Sequence, residues 1–281
     1  MESCRPIAIV TGACGGMGRA CARLLGSRFD LVLTDVDQDR VDAWVETLLE
    51  EGYRVCAGVG CNLAEAGEAQ RLVRIARTVG ELRAVVHTAG LSPAMASWDD
   101  ILRVNVQATE RLLVALEDGL APGLVTVLVA SMAGHMVRAD AAADTAMAAP
   151  LASDFLERSR RVLERYVAAS DPYGMSSPAY GYSKRAVIRM CEARVGAWGK
   201  EGARILSISP GTIWTPMGRK EVQENAAAAA VIQATPVGRW GSPQDIASAV
   251  DFLVSERAGF ISGCDLRIDG GVTPVLLGGR G

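Results

Sequence analysis

Apolar residues along this chain gather in short blocks, and between the blocks they recur every three or four positions. "IAIV" (7–10), "LVLT" (31–34), "RVCAGV" (54–59), "AVVH" (84–87), "LVTVLVA" (124–130) and "RILSIS" (204–209) read as strands, with a last strand expected near 260–268. Helical spacing fills 17–27, 38–51, 65–78, 98–117, 179–199, 217–233 and 243–255. Strands that are apolar throughout suit burial on both faces, and their alternation with helices implies right-handed crossovers. The pattern predicts an α/β fold: a Rossmann-type doubly wound parallel sheet of about seven strands with helices on both faces. No linker or compositional break divides residues 1–281, so a single domain is expected. Ser242 before Pro243 marks a helix start, the serine capping and the proline at the first position.

One segment breaks the rhythm. A short loop would suffice between "ASMAG" (130–134) and Tyr180, yet a helical insertion near 139–175 intervenes. Within it, 153–169 reads as an amphipathic helix. Asp154 and Glu157 have capping-box spacing, Phe155, Val162, Leu163 and Tyr166 form an apolar face, and four arginines cover the other side. Connections this long are usually functional, so the segment is expected to wall a pocket or meet a partner subunit.

Composition narrows the function. A hydrophobic content of 49%, a charged content of 22% and a net charge of −3 describe an ordinary globular protein with no electrostatic footprint for nucleic acid or an anionic membrane. The apolar runs are too short to span a bilayer, no signal peptide is visible, and a cytoplasmic location is expected. Seven scattered cysteines without a C-x-x-C pair, and two histidines, suggest reduced packing thiols rather than a disulfide frame or a metal site. Cys14, in a glycine-rich loop, is the cysteine that could be exposed and alkylatable.

"VTGACGGMGRA" (10–20) follows a buried strand and opens a helix. Gly12, Gly16 and Gly18 would let the backbone turn tightly and approach a pyrophosphate, which the helix N-terminus would hold. Asp35 ends the second strand, where a carboxylate can accept from the adenosine ribose and repel a 2′-phosphate. NAD is therefore favoured over NADP, although Arg19 and Arg40 are nearby.

"SSPAYGYSKRAV" (176–187) supplies candidate chemistry. Tyr180 and Lys184, four apart, share a helix face, while Tyr182 points about 160° away from Tyr180. An ammonium beside a phenol favours the phenolate, so Tyr180 could exchange a proton with an alcohol oxygen. Ser131, at the end of a strand, could hydrogen-bond that oxygen.

With "TGACGGMG" (11–18), "TAG" (88–90), Asn105 in "RVNV", Ser131 in "ASMAG", "YGYSK" (180–184), "SPGTIWTP" (209–216) and "IDGG" (268–271), the chain resembles the short-chain dehydrogenase/reductase family over nearly its full length. The resemblance implies Tyr180 as general acid/base, with Lys184 holding the nicotinamide ribose. Ser131 would orient the substrate oxygen, and Asn105 would hold a relay water, although Asn105 could instead satisfy local backbone. Gly211, Ile213 and Thr215 match the segment holding the carboxamide, and Ala89 and Gly90 match the turn beside the cofactor. Met17, Leu63 and Pro210 complete the expected cofactor contacts. Two features depart from the family pattern. Asn62 stands where an aspartate commonly contacts adenine, and His87 stands where an asparagine is usual. Neither His87 nor His135 is expected to act as a base, since no carboxylate orients them.

The long insertion and "AYGYSKRAV" resemble the 3α-hydroxysteroid dehydrogenase/carbonyl reductase subset. Together with Met132, Met136, Met175, Trp214 and Met217 near the expected mouth, they suggest a bulky apolar alcohol or ketone such as a hydroxysteroid or aromatic alcohol. A lid is expected near 214–235. The leading expectation is an NAD-dependent alcohol dehydrogenase or ketone reductase, a homodimer or homotetramer by family habit. An acyl-thioester ketoreductase and a non-catalytic NAD-sensing protein on the same fold are the alternatives; Asp35 counts against the first and the intact Ser131, Tyr180 and Lys184 against the second.

Overall fold

The computed structural model describes residues 5–169, 171, 173–224 and 226–278, so Cys4 lies outside the described residues. Strands β1 (Ile7–Thr11), β2 (Asp30–Asp35), β3 (Val55–Gly60), β4 (Leu82–His87), β5 (Val125–Val129), β6 (Arg204–Pro210) and β7 (Asp265–Ile268) form one sheet in the order β3-β2-β1-β4-β5-β6-β7. Every pairing is parallel. The strand order reverses between β1 and β4, which opens a crevice at the carboxyl ends of the strands, where doubly wound sheets bind ligands.

Period-two alternation sorts the strand side chains into two cores. Ile7, Ile9, Val32 and Val85 face one core, and Ala8, Val10, Leu31, Leu33, Ala84 and Val86 face the other. Helices α1 (Gly16–Leu25), α2 (Gln38–Glu50) and α12 (Pro243–Leu253) close the second core with Leu25, Trp44, Leu48, Ile246 and Val250. Helices α3 (Glu68–Val79), α4 (Trp98–Leu102), α5 (Thr109–Glu117) and α9 (Ser176–Lys200) close the first with Leu72, Ile101, Leu112, Tyr182 and Trp198. Each fully buried Ile or Leu contributes about 1.5–3 kcal/mol relative to exposure. Ser242 caps α12 in a complete capping box with Asp245, and Pro243 occupies the first turn.

Four regions depart from the expected pattern. The helix over 98–117 is interrupted by a π-helical turn at Arg103–Ala108 that contains Asn105; such widened turns are common at functional sites. The helix over 217–233 is two, α10 (Pro216–Glu224) and α11 (Ala226–Gln233), and the chain continues past β7 into α13 (Val272–Gly278). The insertion carries α7 (Ala141–Met147) as well as the expected α8, which covers only Phe155–Leu163 before a 3₁₀ turn; a short α6 (Ala133–Met136) precedes them. The capping box at Asp154 does not form: its carboxylate pairs with Arg158, and Glu157 pairs with Arg160 and Arg161. The apolar face holds, with Phe155 and Leu163 fully buried.

Candidate active site

The glycine loop leaves room that any side chain would fill. Gly12, at φ +61°, lies so near the β4 turn that a Cβ there would sit 2.7 Å from Ala89 N. A Cβ on Gly16 would meet Thr215 Cγ2 at 2.7 Å, and one on Gly18 would run into the Gly12 carbonyl. Helix α1 begins with Gly15 as an N-cap that offers no side-chain acceptor, so its first N–H groups are left for an external anion. These features fit a dinucleotide pyrophosphate.

Asp35 closes β2 beside this loop. One carboxylate oxygen accepts from Cys14 N at 3.0 Å and the other from Val36 N at 2.9 Å. Gly12, Asp35, Asn62, Leu63 and Ala89 line one crevice with Val104. Asn62 is engaged locally, accepting from Ala64 N and donating to Glu65. Cys14 is buried, contrary to the expectation of an exposed thiol, because its side chain packs into the core beneath α1. Burial, reinforced by the Asp35 carboxylate, pushes its thiol up to about 11.

The reactive residues converge one strand further along. Tyr180 and Lys184 lie one turn apart on α9, with Lys184 Nζ 5.8 Å from the Tyr180 ring centre. That amine is buried and donates to Val129 O at 2.9 Å. Burial lowers its pKa to about 8. Ser131 follows β5, and its Oγ accepts from Ala133 N. Ser131, Tyr180 and Lys184 line a single cavity of about 450 Å³. Gly90, Met132 and Met136 line it too, as do Met17, Pro210, Gly211, Ile213, Thr215 and Met217.

Two expected pocket residues do not line this cavity. Met175 precedes α9 and packs on the core. Trp214 is 51% exposed: its backbone N–H donates to Gly241 O, and its ring rests edge-on against Trp240 at 4.7 Å. Val222 and Val231, from the region expected to form a lid, line the cavity as well. Leu276 went unanticipated: it comes from α13, whose approach to the site depends on tertiary packing that no local pattern encodes.

Asn105 is buried with its side chain committed. Oδ1 accepts from Leu91 N at 2.8 Å, and Nδ2 donates to Leu91 O and to Ser183 Oγ, each at 3.0 Å. Ser183 in turn donates to Tyr180 O. This serine links the π-helical turn to α9. Tyr182 points the opposite way from Tyr180, as its spacing requires, and donates to Arg138 O at 3.0 Å.

The histidines differ from each other. His87 is fully enclosed, with Nδ1 2.7 Å from Thr11 Oγ1 and Nε2 2.9 Å from Thr109 Oγ1. Burial, aided by the Lys184 charge, lowers its pKa to about 3, so the ring is neutral. His135 does meet a carboxylate, contrary to expectation: Nε2 lies 2.8 Å from Asp265 Oδ2. The partner escaped sequence reading because β7 lies 130 residues away in the chain.

The insertion lies elsewhere. Tyr182, Tyr166 and Asp140 bind it to the back of α9, with the Tyr166 ring 5.1 Å from the Tyr182 ring and its hydroxyl on Asp140. Arg185 forms a bidentate pair with Asp144. Asp144, Met147 and Pro150 wall a separate cavity against α5 and α9, so the insertion adds none of α7 or α8 to the cavity that holds Tyr180.

Comparison with known proteins agrees with this arrangement. Residues 6–147 match the short chain dehydrogenase family, and residues 145–273 match the family described as enoyl-(acyl carrier protein) reductase. The chain belongs to the short-chain dehydrogenase/reductase family, and is thus an oxidoreductase of a class that works with a nicotinamide dinucleotide on alcohols and ketones. It is 28% identical to the short-chain dehydrogenase/reductase bsc3 of Alternaria brassicicola, over 95% of this chain and 96% of that one. It is 27% identical to D-threitol dehydrogenase of Mycolicibacterium smegmatis, over 95% and 92%. The fold also matches a 7α-hydroxysteroid dehydrogenase solved with NADH and 7-oxo glycochenodeoxycholic acid, at 22% identity and a TM-score of 0.73, covering 95% and 93%. Among the described residues no helix is long and apolar enough to cross a membrane, and no group of three metal-ligating side chains occurs.

Proposed function

We propose that this protein is an NAD-dependent oxidoreductase that interconverts a secondary alcohol and a ketone on a bulky apolar substrate, such as a hydroxysteroid or an aromatic alcohol. The observation that carries the reading is the convergence of Ser131, Tyr180 and Lys184 on one cavity. Ser131 Oγ orients the substrate oxygen. Tyr180 gives its phenolic proton to a ketone oxygen, or as phenolate takes one from an alcohol. Lys184, charged below about pH 8, favours the phenolate. The bound nicotinamide supplies or accepts the hydride at carbon. Gly12, Gly16 and Gly18 hold its pyrophosphate, Asp35 the adenosine ribose, and the 210–215 segment its nicotinamide end.

The lining supports this substrate class. Met132, Met136, Met217, Val222, Val231 and Leu276 make an apolar, adaptable wall. A panel of steroid, aromatic and small polyol alcohols with NAD, followed at the nicotinamide absorbance, tests it. Saturable turnover of bulky apolar members is expected; turnover confined to small polyols would replace this substrate class.

A further inference from the structure

We propose that His87 is a positioning residue that ties the nucleotide-binding turn to the catalytic helix through a one-directional chain of hydrogen bonds. The proposal rests on the proposed function, in which the glycine loop holds the dinucleotide and Tyr180 on α9 is catalytic.

The direction follows from counting protons. Thr109 Oγ1 lies 2.8 Å from the Asn105 carbonyl oxygen. Two oxygens at that distance must share a proton, and only the threonine hydroxyl has one to give. Having donated it, Thr109 Oγ1 can only accept from His87 Nε2, 2.9 Å away. The neutral ring carries one N–H, so Nε2 is protonated and Nδ1 is bare. Nδ1 must then accept from Thr11 Oγ1 at 2.7 Å, which itself receives the Ala89 N–H at 3.4 Å.

One run of donors therefore enters His87 and another leaves it, both with the same sense. On one side Ala89 N–H points to Thr11, and the Thr11 hydroxyl to Nδ1. On the other, Nε2–H points to Thr109, and the Thr109 hydroxyl to Asn105 O. The Asn105 side chain continues through Ser183 to the carbonyl of Tyr180. Thr11 and Ala89 line the crevice shared with Asp35 and Asn62. The imidazole thus spans from the nucleotide side to the π-helical turn. An asparagine at 87 is one bond too short to satisfy both threonines, since its amide reaches only the place of Nδ1.

The two halves can be tested apart. The chain has two histidines, so ¹⁵N spectra of the full-length protein and of His135→Gln assign His87 directly. An Nε2–H tautomer that does not titrate between about pH 5.5 and 9 is expected; an Nδ1–H tautomer or a titrating ring overturns the proposal. His87→Asn keeps the Nδ1 position, and His87→Gln keeps the Nε2 position. His87→Gln should weaken NAD binding about tenfold, measured by calorimetry, with a smaller loss in kcat. His87→Asn should lower kcat about tenfold with NAD affinity within about twofold. Parallel losses in both variants overturn the coupling and leave His87 a packing residue. The tautomer and NAD-binding measurements need no substrate, so they separate failure of this inference from failure of the proposed reaction. The wild-type spectrum decides even where a variant does not fold.

Discussion

Lys184 Nζ is buried 2.9 Å from the carbonyl oxygen of Val129, the last residue of β5. This contact fixes the amine beneath the turn that presents Ser131 and beside the Tyr180 ring. It is also costly. Burial lowers the lysine pKa to about 8, so keeping it charged at neutral pH opposes folding. Groups held in such a state usually serve chemistry, since an apolar residue would pack there more cheaply.

Lys184→Met should therefore abolish turnover and raise stability at pH 7. The sign is set by the protons. Between the folded pKa near 8 and the unfolded value of about 10.4, the unfolded chain binds the proton and the folded chain does not, so this group's contribution becomes more favourable as pH rises. The full penalty applies below about pH 8. After allowing about 1 kcal/mol for the lost bond to Val129, the variant should gain roughly 1–2 kcal/mol at pH 7, or a few degrees in Tm. The gain should vanish by about pH 10. Thermal unfolding of both proteins across that range checks it, and a destabilised variant at pH 7 would refute it.

Tyr180 and Tyr182 should respond in opposite ways to the same chemical change. Tyr180→Phe removes the phenol facing the Ser131 cavity and should reduce kcat at least 10³-fold, with Tm and NAD affinity nearly unchanged. Tyr182→Phe removes the bond to Arg138 O and loosens the insertion; it should cost about 1 kcal/mol in stability with kcat within about twofold. Steady-state kinetics and denaturant unfolding on the two variants decide between them. Equal kinetic damage in both would sink the assignment of roles.

The contrast between these tyrosines shows what the sequence made legible. Helical periodicity alone separated their faces, and buried apolar runs gave the strand order's raw material together with the strand-end positions of Asp35 and Ser131. Long-range partners stayed hidden. Asp265 beside His135 and Leu276 at the cavity are brought in by β7 and α13, whose approach depends on sheet order. The π-helical turn at Asn105 was invisible because its residues keep helical composition. The insertion contributes by resemblance to the expectation of a bulky substrate, yet its Tyr166 and Asp144 bind the outer face of α9. An amphipathic face states that a helix must be covered and leaves open by what.

Cysteine reactivity should follow burial rather than the glycine loop. Cys14, Cys21, Cys61 and Cys191 are buried and Cys56 and Cys264 exposed. Burial raises the Cys14 and Cys61 thiols to about 11 and Cys21 to about 12, which leaves little thiolate at neutral pH. Iodoacetamide at pH 7.5 should label Cys56 and Cys264 at least tenfold faster than Cys14, as read by peptide mass spectrometry. Rapid labelling of Cys14 in the folded protein would show that the loop opens to solvent.

The proposed preference for NAD rests on Asp35. Its carboxylate is held in place by Cys14 N and Val36 N, so it cannot swing away from an incoming 2′-phosphate. Repulsion between unit charges about 5 Å apart at an effective dielectric near 20 is about 3 kcal/mol, which corresponds to about 100-fold in kcat/KM. The wild-type protein should prefer NAD by at least that factor. Arg19 and Arg40 lie on the same side, both donating to Cys14 O. Asp35→Asn keeps the shape, removes the charge and leaves these guanidiniums to meet a phosphate. The variant should lose most of the discrimination, with NADP efficiency rising at least tenfold. Raising ionic strength should shrink the wild-type preference, because the repulsion is partly screened at this half-exposed position. Comparable kcat/KM for NAD and NADP in the wild-type protein would show that Arg19 and Arg40 already outweigh the carboxylate.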